Sequence, residues 1–338
     1  MKMEDRILLS HGSGGALTRR LIEELLAPAF DNPLLAPLED QAIIERPSER
    51  IAFTTDSFVV SPIFFPGGDI GKLAVYGTVN DLAVGGATPR YLSLSMIIEE
   101  GFLASDLKKI VQSISNACKK ARVEVVTGDT KVVERGKGDG IYITTSGIGF
   151  VPDGVTLSSS SLKEGDKILV SGGLAEHGFA ILAKRKGLSF ASAIESDCAP
   201  ITNLCKALVE VGGNELKAMR DPTRGGLSAV LNEWSLSSNV GIEIDEASLP
   251  FSESVRAASE MLGLDALSVA SEGRVVAAVG REAATACLEA LKKIPDGKGA
   301  AIVGEVSSSG AGRVIMKTSV GGRRLVHLPT GEQLPRIC

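Results

Sequence analysis

Apolar positions along the chain follow two periods, and the switches between them outline its elements. Leu107, Ile110, Val111, Ile114, Ala117, Cys118 and Ala121 recur at three- and four-residue spacing, which predicts a helix capped by Ser105 and places Cys118 in the core. A second helical pattern covers 69–86, with Ile70, Leu73, Ala74 and Gly77 on one side and Asn80-Asp81 embedded in it. An acid inside so apolar a helix is costly without a partner. Leu17, Leu21, Leu25 and Leu26 predict an earlier helix that Pro28 ends. Short apolar runs bounded by turn residues predict strands at 38–44, 51–57, 91–98, 123–127 and 141–150. The sum is a β-rich sheet with two crossing helices, a first domain over 1–152.

Val151-Pro152-Asp153-Gly154 and Ser158 to Ser161 form the clearest break in composition and read as a linker. Beyond it, strands at 167–171, 240–244, 275–279, 301–306, 314–317 and 325–327 alternate with helices ending near 187, carrying Trp234, spanning 253–262 and ending near 293. This is a second, α/β domain over 153–320. Gly321-Gly322-Arg323-Arg324 then opens a tail over 321–338, in which Thr330-Gly331 and Pro335 disfavour a long helix. Fully extended, that tail spans roughly 55 Å at ~3.3 Å per residue, so it reads as a movable arm with Cys338 at its tip. Arg336 beside the thiol favours a thiolate, and the terminal carboxylate opposes it.

Composition removes several function classes. Lys plus Arg number 36 against 41 Asp plus Glu, a net charge of -5 with no concentrated basic run, so the footprint of a nucleic-acid binder is missing. No apolar run nears the ~18 residues of a spanning helix and no signal-peptide core follows Met1, so a soluble, cytoplasmic protein without membrane or nucleic-acid partners is expected. The five cysteines are odd in number and form no C-x-x-C pair, which points to neither a disulfide framework nor zinc. Glycine, 38 of 338 residues, falls in short distinct loops and suggests close backbone approach to a ligand.

Acids flanked by small residues recur at Asp40, Thr55-Asp56, Asn80-Asp81 and Gly128-Asp129-Thr130, read as four loops, and Asp221 joins them from the second half. Converging carboxylates without basic neighbours require cations, and carboxylate oxygens suit Mg²⁺, which commonly brings substrate phosphates. Gly12, Gly14 and Gly15 around Ser13 can fold N–H groups over an anion. Asp221-Pro222 reads either as a turn and helix start or as a metal acid beside a phosphate-binding helix end. His177, after Gly172-Gly173, is a ligand contact or a satisfied capping residue, and the second reading is favoured. Glu272, between Ser271 and Gly273, is a candidate base.

Thr54-Thr55-Asp56-Ser57, Gly71-Lys72-Leu73-Ala74, Thr78-Val79-Asn80-Asp81-Leu82-Ala83-Val84-Gly85-Gly86, Thr127-Gly128-Asp129-Thr130, Asp221-Pro222-Thr223-Arg224-Gly225-Gly226-Leu227 and terminal Pro335-Arg336-Ile337-Cys338 together resemble the HypE family of hydrogenase maturation proteins. The likeness runs from His11 to Cys338. Single pieces recur in aminoimidazole ribonucleotide synthetase, selenophosphate synthetase and thiamine-monophosphate kinase, whereas the terminal Pro-Arg-Ile-Cys belongs to the hydrogenase branch. Leu216-Lys217 stands where the family has isoleucine and histidine, and Ala270-Ser271 where it has alanine and asparagine.

The resemblance implies an α+β (α/β sandwich) protein of the aminoimidazole ribonucleotide synthetase type: an N-terminal ferredoxin-like sheet domain for ATP and dimerisation, a C-terminal α/β domain, and a flexible tail. It implies an ATP-dependent carbamoyl dehydratase in which a carbamoyltransferase loads Cys338, the S-carboxamide becomes a thiocyanate, and an iron-carrying scaffold complex accepts the cyanide for [NiFe] hydrogenase. Mg²⁺ would be held by Asp40, Asp81 and Asp221. Gly14, Gly15, Thr55, Asp56, Lys72, Asn80, Gly128, Asp129 and Thr130 would contact ATP, with Cys338 and Glu272 catalytic and the protein a homodimer. Two rival readings use the same acids: a small-molecule kinase or synthetase, indifferent to Cys338→Ala, and a non-catalytic nucleotide-binding scaffold.

Overall fold

A computed structural model describes residues 6–8, 21–32, 50–188, 193–328 and 336–338. In the first half, β1 (Arg50–Phe58), β4 (Thr88–Glu99), β5 (Glu124–Val133) and β6 (Ile141–Val151) form a sheet in the order β1-β6-β4-β5, while β2 (Phe64–Phe65) and β3 (Gly68–Asp69) make a small hairpin. Strand alternation decides which side is covered. Ile141 and Ile143 of β6 and Leu92, Leu94, Met96 and Ile98 of β4 are buried on one face. Two helices lie over that face, α1 (Ile70–Val84) and α2 (Ala104–Ala121).

The two helices earn their positions differently. α2 has a single apolar stripe, which includes the buried Cys118. Its cap position is Leu103, without a side-chain cap, and the expected cap Ser105 lies inside the first turn. Backbone pairing sets the entry instead: Arg6 bridges to Leu103, and Ile7 N–H donates to Phe102 O at 2.9 Å. α1 is buried nearly all round because the second half of the chain covers the side that the sheet leaves open. Asp69 caps it, accepting from the N–H groups of Gly71 and Lys72 at 2.8 and 3.0 Å.

The second half holds β7 (Lys167–Val170), β8 (Leu216–Arg220), β9 (Gly241–Asp245), β10 (Val276–Val279), β11 (Ala301–Ser307), β12 (Val314–Lys317) and β13 (Arg323–Val326) in one sheet, ordered β13-β12-β9-β11-β7-β10-β8. Leu227, Leu231 and Trp234 of α5 (Gly226–Ser238) pack with Ile168, Ile244 and Val303 in one core layer. Leu204 and Leu208 of α4 (Thr202–Gly212) and Leu291 of α7 (Arg281–Lys292) pack with Leu169 and Ala277 in another. Two further helices, α3 (Glu176–Lys186) and α6 (Glu253–Leu262), share a smaller cluster around Phe179.

Two expectations change, and two others lie outside the described residues. The strand expected at 325–327 is present as β13, at 323–326 with Val326 buried, and so does not belong to a flexible tail, and the extended reach from 327 to Cys338 is roughly 40 Å. Pro28 lies within the short helix Ala27–Ala29, after a π-helical turn at Ile22–Leu26, and does not stop the helix ahead of it. The expected strand at 38–44 and the start of the helix at Leu17 lie outside the described residues.

One small residue fixes how closely α1 crosses β1. A Cβ on Gly77 would lie 2.7 Å from the Phe58 ring, well inside contact distance. Gly77→Ala is therefore expected to destabilise the protein by roughly 1–3 kcal/mol through overpacking. A urea titration reads this as a lower midpoint at unchanged slope, and an unchanged midpoint contradicts the packing.

Candidate active site

The close approach of α1 and β1 brings acids together. Thr54 and Asp56 share the face of β1 turned to α1, and Thr54 Oγ1 donates to Asp81 Oδ2 at 3.0 Å. Asp221 follows the last residue of β8 and is 6% exposed. Of the two readings of Asp221-Pro222, the helix start does not hold, because α5 begins only at Gly226. Gly225 and Gly226 both have positive φ, and a Cβ on Gly226 would sit 2.5 Å from Leu267 O. Those glycines turn the chain so that the carboxylate stays inside. Burial, and then the charge of Asp81, push the Asp221 carboxyl up to about 7. Burial also raises Asp81 and Asp56. The acids do have basic neighbours, contrary to expectation: Arg224 lies 3.8 Å from Asp56, and Arg220 lowers the pKa of both Asp81 and Asp221.

Asp81 and Asp221 open on a cleft of about 400 Å³ lined also by Thr54, Arg220 and Trp234. A second groove of about 520 Å³, lined by Arg90, Lys120, Arg122 and Lys206, contains none of these carboxylates. Among the described residues no three His, Cys, Asp or Glu side chains form a group that could hold a metal ion by themselves. Asp40, the third expected ligand, lies outside the described residues, as do Gly14 and Gly15.

Glu272 sits in the turn before β10, 2% exposed. Burial first, then Asp221, Asp197, Asp56 and Asp81, raise its carboxyl well above the usual range. Its Oε1 has no hydrogen-bond partner among the described residues. The local pattern had missed what holds it. Asp197, with a fully buried side chain, accepts from the N–H groups of Glu272 and Gly273 at 3.0 and 3.4 Å, and the Arg274 guanidinium lies 3.5 Å away. Nothing in its sequence neighbourhood separates Asp197 from a surface turn aspartate. Ser271 is fully buried and its Oγ accepts from Ala175 N–H at 2.8 Å.

Cys338 reaches this buried end. Val59 N–H donates to Cys338 O at 3.1 Å, Ser61 N–H donates to Arg336 O at 3.2 Å, and Ile337 is buried in the first core. His177, expected as a cap, instead holds the tail: its Nε2 lies 2.9 Å from Ile337 O and its Nδ1 2.8 Å from Ser196 Oγ. The thiol is pushed up to about 12, by burial first, then by the charges of Glu272 and Asp56, with Arg224 opposing. Arg336 plays no such part. It pairs with Asp139 and donates from Nε to Val59 O at 2.8 Å.

The remaining expected ATP contacts do not converge on this site within one chain. Asn80 is fully buried and spends its amide on the protein, donating to Ala199 O and Glu272 O and accepting from Ile201 N–H. It ties α1 to the loop that carries the candidate base. Lys72 donates to Gly67 O at 2.6 Å. Thr55 lies on the outer face of β1, opposite to Asp56. Gly128, Asp129 and Thr130 are strand residues of β5, not a loop. β5 is the far edge of the sheet from β1, about 14 Å away at ~4.8 Å per strand.

Comparison with known proteins shows the family. The family models for the AIR synthase related protein N-terminal and C-terminal domains match residues 38–151 and 163–317. The carbamoyl dehydratase HypE of Bradyrhizobium diazoefficiens is 51% identical over 330 residues, covering 98% of this chain and 95% of its own. A crystal structure of the hydrogenase maturation protein HypE in complex with ATP superposes with a TM-score of 0.94 at 44% identity, over 98% of this chain and 99% of the other. A chain of the HypE-HypF complex does so with a TM-score of 0.81 at 48% identity, over 93% and 100%.

The buried tail contact carries a pH signature. Burial lowers the His177 pKa from 6.5 to about 4, opposed by the bond to Ile337. Between those values the unfolded chain binds a proton that the folded chain does not. This contribution to stability is fully present above about pH 6.5, is lost as the pH falls, and levels off below about pH 4, roughly 3 kcal/mol in all. Urea midpoints of wild type and His177→Gln are expected to diverge across this window, with wild type the more acid-sensitive. Parallel curves contradict the buried neutral ring.

Proposed function

The chain belongs to the carbamoyl dehydratase HypE family, and from that premise we propose that it dehydrates a carboxamide carried on its own Cys338 to a thiocyanate, using ATP, to supply cyanide for the iron of a [NiFe] hydrogenase. The observation that carries this reading is the docked terminal cysteine, held where the buried Glu272 carboxylate acts on it. A kinase of small metabolites or a nucleotide-binding scaffold has no use for a C-terminal thiol in that position.

The chemistry follows from what the site can hold. An amide oxygen is a poor leaving group, so the terminal phosphoryl group of ATP is transferred to the carboxamide oxygen while nitrogen gives up one proton. Loss of the second N–H proton and departure of phosphate leave a C≡N triple bond on sulfur; overall the carboxamide and ATP give thiocyanate, ADP, phosphate and one proton. Glu272 serves as the base. Its burial raises its basicity, and its Oε1, unpartnered among the described residues, has room for a proton. Asp197 keeps it in place through the backbone.

Mg²⁺ fits the donors present. Asp221 is buried, Asp81 is half-buried, and the charge of Asp81 raises the pKa of Asp221; Mg²⁺ in phosphoryl-transfer sites takes one or two carboxylates and completes its shell with phosphate oxygens and water. Asp81 and Asp221, with Asp40 from the N-terminal segment, would hold it, and it would neutralise charge on the transferring phosphoryl group. Arg220 lines the same cleft, and Arg224 stands beside Asp56. Gly14, Gly15, Thr55, Asp56, Lys72 and Gly128-Asp129-Thr130 remain the nucleotide contacts of this reading, while Asn80 acts by positioning the Glu272 loop.

A second copy of the chain supports the same reading. The uncovered sheet face exposes Ile51 at 61% and Phe53 at 69%, more apolar surface than a strand facing water usually carries. Pairing two such faces gives the homodimer and lets the β5 acids of one chain meet the β1 site of the other. A carbamoyltransferase loads Cys338, in line with the relative solved in a HypE-HypF complex, and an iron-carrying scaffold takes the cyanide. Loading belongs to the undocked tail, because a thiol pushed up to about 12 is not a nucleophile at neutral pH. Once the sulfur is carbamoylated this no longer matters. The division 1–152, 153–320 and tail, with the tail now starting after β13, and the cytoplasmic location complete the proposal.

Mass spectrometry of the C-terminal peptide tests it. With the carbamoyltransferase and its substrates the peptide should gain about 43 Da, and with ATP it should then lose about 18 Da. Glu272→Gln should accumulate the first product and slow the second step by roughly 10²–10⁴-fold. Absence of any adduct on Cys338 with active transferase sinks the reading.

A further inference from the structure

We infer that His177 is the latch of the C-terminal tail, the residue whose N–H makes the docked position of Cys338 possible. This rests on the reading of Cys338 as the carrier of the reacting group. The tail and the segment 59–61 meet as in an antiparallel ladder, with Cys338 O on Val59 N–H and Arg336 O on Ser61 N–H, and Arg185 also donating to Arg336 O at 2.8 Å. Arg336 is in the left-handed region, with φ 53°. The two ladder bonds take the carbonyls of Arg336 and Cys338 and leave that of Ile337, inside the protein, without a backbone donor among the described residues. There Ile337 is 6% exposed, and a buried carbonyl without a donor is strongly disfavoured. The donor it meets is His177 Nε2.

The direction of every proton in this contact is determined. A carbonyl oxygen only accepts, so Nε2 carries the hydrogen and Nδ1 of the neutral ring must accept. Ser196 Oγ–H is the donor to Nδ1, and Ser196 Oγ itself accepts from Cys198 N–H at 3.1 Å. The Phe65 ring stands edge-on at 5.5 Å and fixes the imidazole plane. The relay runs from the Cys198 amide through Ser196 and His177 to the tail, with each group used once. It reads the peptide between Ile337 and Cys338, not the sulfur, so it holds the tail whether the sulfur bears hydrogen, a carboxamide or a nitrile. His177 is accordingly a positioning residue.

Alkylation of the reduced full-length protein by iodoacetamide, without ATP or transferase, tests the latch by following the mass of the C-terminal peptide. Cys118, Cys198, Cys205 and Cys287 are buried and report global opening. His177→Leu, which cannot donate, should raise the Cys338 rate roughly tenfold, the weight of one such hydrogen bond. His177→Gln, whose amide N–H replaces the donor, should stay near the wild-type rate. A wild-type rate in the leucine variant, or a glutamine variant as fast as the leucine one, overturns the proposal. If the four buried cysteines also react in the leucine variant, Ser196→Ala decides: it frees the tautomer and should speed alkylation several-fold, and a wild-type rate there overturns the latch. Because no dehydration is read, a failed latch and a failed dehydratase remain separate results.

Discussion

The interaction on which this structure depends is the mutual repulsion of carboxylates taken out of water. Asp56 raises the pKa of Asp81, both raise that of Asp221, and all three raise that of Glu272, with Arg220 and Arg224 offsetting them among the described residues. Packing alone does not favour such a group. It persists because it is divided: Asp56 and Asp81 sit on a rigid strand and helix, Asp221 on a glycine turn, and Glu272 on a loop fixed by Asp197 and Asn80. The charge deficit that this leaves is what a cation and a phosphate chain are suited to fill.

α1 is the element that joins these parts. Gly77 sets its distance from β1, Asp81 faces the cleft, and one residue earlier Asn80 reaches the backbone of 199–201 and 272. Two adjacent side chains thus reach the two sides of the proposed site, that of the cation and that of the base. Rigid positioning of both across a helix that belongs to neither sheet alone is how the two halves of the chain act as one catalyst.

The sequence made the periodic elements legible, including α2 by its stripe and α6 to the residue, because periodicity reports burial directly. It also made Cys338, Glu272, Asp81 and Asp221 stand out. It misjudged what depends on long-range pairing. Gly128 to Thr130 reads as a loop by composition yet is held in β5 by its partner strand β4, and the strand expected at 325–327 was counted with the tail although it closes the edge of a sheet. Asn80 and Asp197 were opaque for the same reason, since their partners lie 119 and 75 residues away. His177 read as a cap because its partner is the other end of the chain.

The account stands or falls on whether the carboxamide oxygen on the tail is the atom that ATP phosphorylates. Protein carbamoylated on Cys338 with ¹⁸O in the carboxamide, given ATP in unlabelled water, should release phosphate that carries the label as thiocyanate forms. Label appearing in the water, with unlabelled phosphate, would contradict phosphoryl transfer to the tail and with it the role assigned to the acid cluster.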